Sequence, residues 1–232
     1  VNVLRSDPQP MFRGTGDHWR RQYSRRSFLK LGAAVVVAGA VVYSGADEAV
    51  TRLHDKHVRS KSSDRLSRVG YELGQRPWFL AWAGLAAVDA WVRSNPLTRW
   101  GRANFETMAV GLPVLWTVQR ALGADRPSAD EPTPNWRPFA SDHAASGHAF
   151  IGAVPWLNAA RAAGLHRWRP LLLMGSTLSG WSRLNDRKHY LSQVWLGWFI
   201  AWQATNAVGY RGGQPAAVDA DVTVADPKES SC

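Results

Sequence analysis

Three short polar groups interrupt the largely apolar second half of this chain. They are Arg126-Pro127, then Ala145-Ser146-Gly147-His148, then Ser182-Arg183 with His189 six residues beyond the arginine. Two arginines, two histidines and a Ser-Gly turn are poor material for a core. They are good material for holding and attacking a phosphate. Guanidinium forks match phosphate oxygens in geometry and charge. An imidazole can be a nucleophile or a proton donor near neutral pH. A Ser-Gly pair opening a helix offers a hydroxyl and unpaired backbone N–H groups to an anion.

The elements that must position these groups read as helices. From residue 47 onward no convincing alternating strand pattern appears. Residues 48–74 are polar, with Leu53, Leu66, Val69 and Leu73 as a loose apolar stripe. Apolar helices are predicted over 78–92, over 104–122 with Pro113 expected to kink it, and over 148–163, 170–184 and 190–208. Residues 127–140 hold four prolines and few aliphatics, and predict a loop joining the first two polar groups. The expected fold is all-α, a compact bundle of about six helices with the site at helix ends. Trp195, Trp198 and Trp202 recur at helical spacing and read as a core stripe or as an interfacial belt.

The order of the three groups resembles the signature of the type 2 phosphatidic acid phosphatases. That family shares its site with vanadium haloperoxidases and bacterial class A acid phosphatases. Its signature reads Lys-x6-Arg-Pro, Pro-Ser-Gly-His, and Ser-Arg-x5-His-x3-Asp. Here the sequence has Gln119-x6-Arg126-Pro127, Ala145-Ser146-Gly147-His148, and Ser182-Arg183-x5-His189-x3-Gln193. The resemblance implies that His189 attacks phosphorus and becomes a phosphohistidine. It implies that His148 protonates the leaving oxygen and later activates water. Ser146 and Gly147 would hold phosphate, and Arg126 and Arg183 would clamp its oxygens.

Three positions depart from the pattern. Gln193 stands where the family usually has Asp; its carbonyl can accept the same hydrogen bond from His189 but carries no charge. Gln119 replaces the lysine and is expected as a neutral phosphate donor, with the adjacent Arg120 as the competing cation. Ala145 replaces the proline. The resemblance implies a phosphatase acting on a phosphate monoester or diphosphate, a lipid phosphate or isoprenyl diphosphate in preference to a small soluble ester. No metal and no cofactor are expected. Vanadate is expected as an inhibitor, or as a prosthetic group under a second reading as a haloperoxidase. A third reading is a catalytically degenerate phosphate-binding protein.

The first 46 residues look like a targeting segment. Ser24-Arg25-Arg26-Ser27-Phe28-Leu29-Lys30 resembles a twin-arginine export signal. An apolar run from Leu31 to Tyr43 follows, and Ser44-Gly45-Ala46 supplies small residues for cleavage. The expected division is a signal peptide over 1–46, cleaved or kept as an anchor, a helical domain over 47–210, and a disordered tail over 211–232. The implied partners are the export machinery, a phosphorylated substrate and a peripheral membrane contact. The implied location is the periplasm or the extracytoplasmic face of the inner membrane.

Composition agrees with this outline. The 232 residues carry a net charge of +10, and seven cations against two acids fall within residues 1–46. A basic balance suits anionic substrates and lipid surfaces, and no nucleic-acid motif accompanies it. Mean hydropathy is −0.27, which favours a soluble or peripherally attached body. The single cysteine is Cys232, so no intrachain disulfide can form.

Overall fold

The computed structural model describes residues 14–129 and 133–212. The tail expected to be disordered lies, from 213 onward, outside the described residues. The chain is all-α, and no strand occurs among the described residues. The helices run α1 (Thr15–Gln22), α2 (Arg25–Tyr43), α3 (Ala46–His57), α4 (Lys61–Leu73), α5 (Pro77–Trp91), α6 (Pro96–Leu122) and α7 (Gly147–Arg161). A 3-10 turn (Ala163–Trp168) leads to α8 (Arg169–Gly175), α9 (Leu178–Asn185) and α10 (Leu191–Val208).

Local chemistry explains where helices begin. Ser60 caps α4 by accepting from Ser63 N, and Ser63 returns the bond to Ser60 N, a reciprocal pair that stops α3 from running on. Asn95 caps α6 through Leu97 N and Thr98 N, with Pro96 in the first turn. Two expectations about helix extent change. Residues 48–74 form two helices rather than one loose stripe. The stretch 170–184 is divided into α8 and α9, because Ser176 and Thr177 turn their hydroxyls back onto Leu173 O and Met174 O and end α8. The helical count is therefore higher than six. Pro113 lies inside α6, which continues unbroken through it to Leu122.

The core is a layer of α6, α7 and α10 around Met108, Leu115, Phe150, Val154, Leu196 and Ile200, each fully buried. α5 packs on α6, α4 packs on α9, and α2 packs on α10. The α4 contact is unusually close at Gly74, where an added Cβ would lie 2.8 Å from His148 O and 3.0 Å from His148 Cα. Only a residue without a side chain lets α4 end against the start of α7. The C-terminal end of α6, the N-terminal ends of α7 and α10 and the C-terminal end of α9 meet at one end of the bundle. All three polar groups of the sequence fall there.

Candidate active site

The loop after α6 brings Arg126 to this end. Gly123 turns the chain at φ 56°, and an added Cβ would meet Arg137 O at 2.1 Å. Arg137 N donates to Gly123 O at 2.9 Å, Phe139 N donates to Arg120 O at 2.8 Å, and Ser141 Oγ bridges Ala124 N and Ala124 O. An ion pair joins Arg137 to Asp125. The Arg126 guanidinium is exposed, yet its charge lowers the proton affinity of His143, His148 and His189 together. It therefore faces the site and not bulk solvent alone.

Ser146 caps α7 by accepting from Ala149 N, and it is fully buried. Its own N–H donates to Gln193 O at 2.8 Å. In front of Gly147 the space is open: an added Cβ would meet nothing within 4 Å. Open space thus adjoins the N-terminal end of α7, where the helix dipole favours an anion.

His148 follows in the same turn. Its ring stacks on Tyr71, with centroids 5.1 Å apart and planes 18° apart. Its Nε2 is buried and has no hydrogen-bond partner among the described residues. Burial, then the charges of Arg183, Arg126 and Arg76, lower its pKa to about 4. Tyr71 also carries Arg183 on its ring, with the guanidinium carbon 4.5 Å from the centroid. Arg183 is buried and pairs with Asp186 Oδ2 at 2.5 Å. Asp186 in turn accepts from Ser67 Oγ at 2.7 Å. The guanidinium is thus fixed between an aromatic face and a carboxylate.

His189 sits just ahead of α10, 6% exposed. Its Nδ1 lies 2.8 Å from Gln193 Oε1. The neighbours of the carboxamide decide which group donates. Gln193 Nε2 donates to Asp125 O at 2.8 Å, and Gln193 Oε1 accepts from Tyr190 N at 3.1 Å. A carbonyl can only accept and a backbone N–H can only donate, so the amide has one orientation. Oε1 must then accept from His189 Nδ1–H, which leaves Nε2 unprotonated with its lone pair available. Burial is the largest influence on His189 and lowers its pKa to about 3 against the partial support of Gln193.

The structure brings Arg126, Ser146, Gly147, His148, Arg183, His189 and Gln193 to one end of the bundle. It places the motif-one pair differently. Gln119 Nε2 donates to Ala145 O at 2.7 Å, so this amide braces the turn before Ser146. Arg120 is exposed, its backbone carbonyl is taken by Phe139 N, and it is not among the cations acting on the site histidines. Four residues that motif spacing did not single out as site residues join the site. Tyr71 lies between His148 and Arg183, Arg76 acts on His148, Asp186 holds Arg183, and the His143 ring lies 6.5 Å from the His189 ring at 84°. No group of three or more His, Cys, Asp or Glu placed to hold a metal ion occurs among the described residues.

Comparison with protein families matches residues 102–211 to the PAP2 superfamily. The matched segment starts in the first turns of α6 and ends after α10, so it contains every motif residue of the site. The segment that carries the site belongs to the PAP2 superfamily. Residues 22–42 match the twin-arginine translocation signal sequence, which assigns this PAP2 protein to export by the twin-arginine route. No match was found among curated proteins or among solved structures.

Proposed function

We propose that this PAP2 protein is an exported phosphatase that works through a phosphohistidine on His189. The observation that carries the reading is the Gln193 clamp, which leaves His189 Nε2 bare in a site ringed by Arg126, Arg183 and His148. Nε2 attacks phosphorus, the bond from phosphorus to the leaving oxygen breaks, and His148 gives that oxygen a proton. Water then attacks the phosphohistidine and passes its proton to His148. Inorganic phosphate departs, and His189 returns to its starting tautomer.

His148 needs a proton for the first step, while its pKa of about 4 leaves it neutral at pH 7. Burial is the main cause of this low value, and the charges of Arg183, Arg126 and Arg76 add to it; a bound phosphate offsets those charges and raises the proton affinity of His148. Arg126, Arg183 and the first turn of α7 hold the equatorial oxygens, where charge is greatest in the transition state. Vanadate adopts that geometry, and the same donors suit it as an inhibitor.

A lipid phosphate or isoprenyl diphosphate is the favoured substrate class. An apolar cavity of about 660 Å³ runs beside α7, lined by Leu73, Trp78, Trp82, Trp100, Trp156 and Leu172 among others. Leu73 adjoins Gly74, which abuts His148, so one end of the cavity is close to the phosphate gap. A hydrocarbon chain fills such a space; a small soluble ester leaves it empty.

The test is hydrolysis of para-nitrophenyl phosphate, phosphatidic acid and an isoprenyl diphosphate with EDTA present, with and without vanadate. Vanadate-sensitive phosphate release, abolished by His189→Ala, is expected, with the two apolar substrates preferred. Bromide oxidation by peroxide after vanadate loading, with no ester turned over, would replace this reading with the haloperoxidase one.

A further inference from the structure

The export signal is built into the fold. α2 carries the twin arginines and runs antiparallel to α10, the helix that holds Gln193. Gln203 Nε2 of α10 donates to Ser27 O at 2.9 Å and also contacts Ser27 Oγ. Trp195 Nε1 donates to Ala34 O at 3.4 Å. Just before α2, Arg21 Nε donates to Ala207 O at 2.7 Å, and Tyr23 OH donates to Val110 O of α6. Ala34, Ala38 and Val42 are buried along the α10 side. Just beyond α2, Asp47 is fully buried and accepts from both Ser192 N and Ser192 Oγ, at 2.9 and 2.5 Å. Removing residues 1–46 would strip the Gln203 amide of its acceptors and uncover the apolar side of α10. Buried polar groups without partners are costly, so this packing is not that of a passive leader.

Among the described residues, nothing covers the opposite side of α2. Phe28, Leu29, Val36, Val37 and Tyr43 are 53%, 66%, 72%, 51% and 63% exposed. They recur at helical spacing, and no polar side chain is exposed between Lys30 and Tyr43. The stripe runs over residues 28–43, and α2, at 19 residues, is apolar and long enough to cross a membrane. One end is basic: Arg20, Arg25, Arg26 and Lys30 are all exposed. An apolar stripe ending in cations matches a bilayer with anionic headgroups. A water-soluble partner gives those cations no comparable field.

We propose that α2 is retained in the exported protein as a wall of the PAP2 domain, and that its outward stripe is covered by an anionic lipid bilayer. The basic end then lies at the headgroups, and the active site lies at the other end of α2, where Asp47 meets Ser192. This proposal does not depend on the reaction assigned to the site.

Two measurements test it. The first is the N-terminal peptide map of the exported chain, extracted into detergent before digestion. Peptides containing Val36 and Val37 are expected in it. A map that begins at about Asp47, with the protein folded and in the soluble fraction, overturns retention. The second is flotation of the purified full chain with phosphatidylglycerol vesicles, against phosphatidylcholine vesicles. The double variant Val36→Glu, Val37→Glu changes two exposed side chains on the outward side of α2, so its helical circular dichroism and melting should match wild type. Its vesicle-bound fraction should fall about tenfold or more. Equal flotation of the variant overturns the lipid assignment. So does a wild-type chain that ignores vesicles and forms a dimer which Val36→Glu, Val37→Glu disrupts, since a second copy would then be the occupant.

Discussion

Gln193 Oε1 accepts the Nδ1 proton of His189 at 2.8 Å, and two backbone contacts on the same carboxamide leave it no alternative orientation. The relationship sets the tautomer of the proposed nucleophile without a carboxylate. Gln193→Leu should let the His189 proton move to Nε2 and lower kcat by about a hundredfold or more. Gln193→Glu keeps an acceptor for Nδ1 and should recover much of that loss. It should also raise the His189 pKa, seen as an acid limb of the kcat profile moved to higher pH. If the Leu variant turns over as fast as the Glu variant, the clamp does not set the tautomer.

The histidines themselves give a pH signature. His148 and His189 titrate at about 4 and about 3 in the folded protein, against an ordinary value of 6.5. Both pKa values are depressed on folding, so the neutral rings favour the folded state above pH 6.5. That stability is lost as pH falls from 6.5 through about 4 and then about 3. NMR of the imidazole carbons should show neither ring titrating between pH 5 and 8 in the phosphate-free protein. Adding inorganic phosphate should raise the His148 value. A midpoint near 6.5 for His189 would contradict the burial argument.

Tyr71 lies between the His148 ring and the Arg183 guanidinium, and both contacts are made by its aromatic face. Tyr71→Phe should therefore leave kcat/KM within about twofold, while Tyr71→Leu should lower it about tenfold. Steady-state kinetics at two salt concentrations checks this. A larger loss in Phe than in Leu would mean that the hydroxyl, not the ring, is the active part.

Gly74 gives a steric test. An added methyl would press on His148 O at 2.8 Å and on His148 Cα and Cβ at 3.0 Å. Gly74→Ala should displace α7 from α4, costing about 1–3 kcal/mol in urea unfolding, and should lower kcat more than a neutral surface change does. Gly84→Ala, where nothing lies within 4 Å, is the control and should raise stability slightly through helix propensity.

The motif residues were legible because phosphate chemistry narrows the choice of side chain. Arg126, His148, Arg183 and His189 sit at spacings that a helix end can present, and the all-α class followed from apolar periodicity. What was not legible depends on packing between distant segments. Tyr71 looks like any tyrosine on a polar helix until Gly70 and Gly74 bring α4 against α9 and α7. Gln119 carries a donor that spacing aimed at phosphate, while the fold offers it Ala145 O at 2.7 Å. Residues 1–46 read as a signal peptide, cleaved or kept as an anchor, and composition does not choose between the two because signal and core compositions are alike when a helix is rich in Ala and Val. The bonds from Gln203 and Trp195 to α2 are what favour the anchor.

The backbone of Gln193 adds a second link to those of its side chain. Its carbonyl accepts from Ser146 N, while its carboxamide reaches both Asp125 O and His189. One residue at the head of α10 therefore ties together the arginine loop, the anion-binding turn and the nucleophile. Any effect that anion binding at the Arg126 loop has on the His189 proton is matched by an equal effect of that proton on anion affinity. Under the proposed mechanism, a variant that loosens the Gln193 links should weaken phosphate binding and lower kcat together, which steady-state kinetics with inorganic phosphate as inhibitor checks.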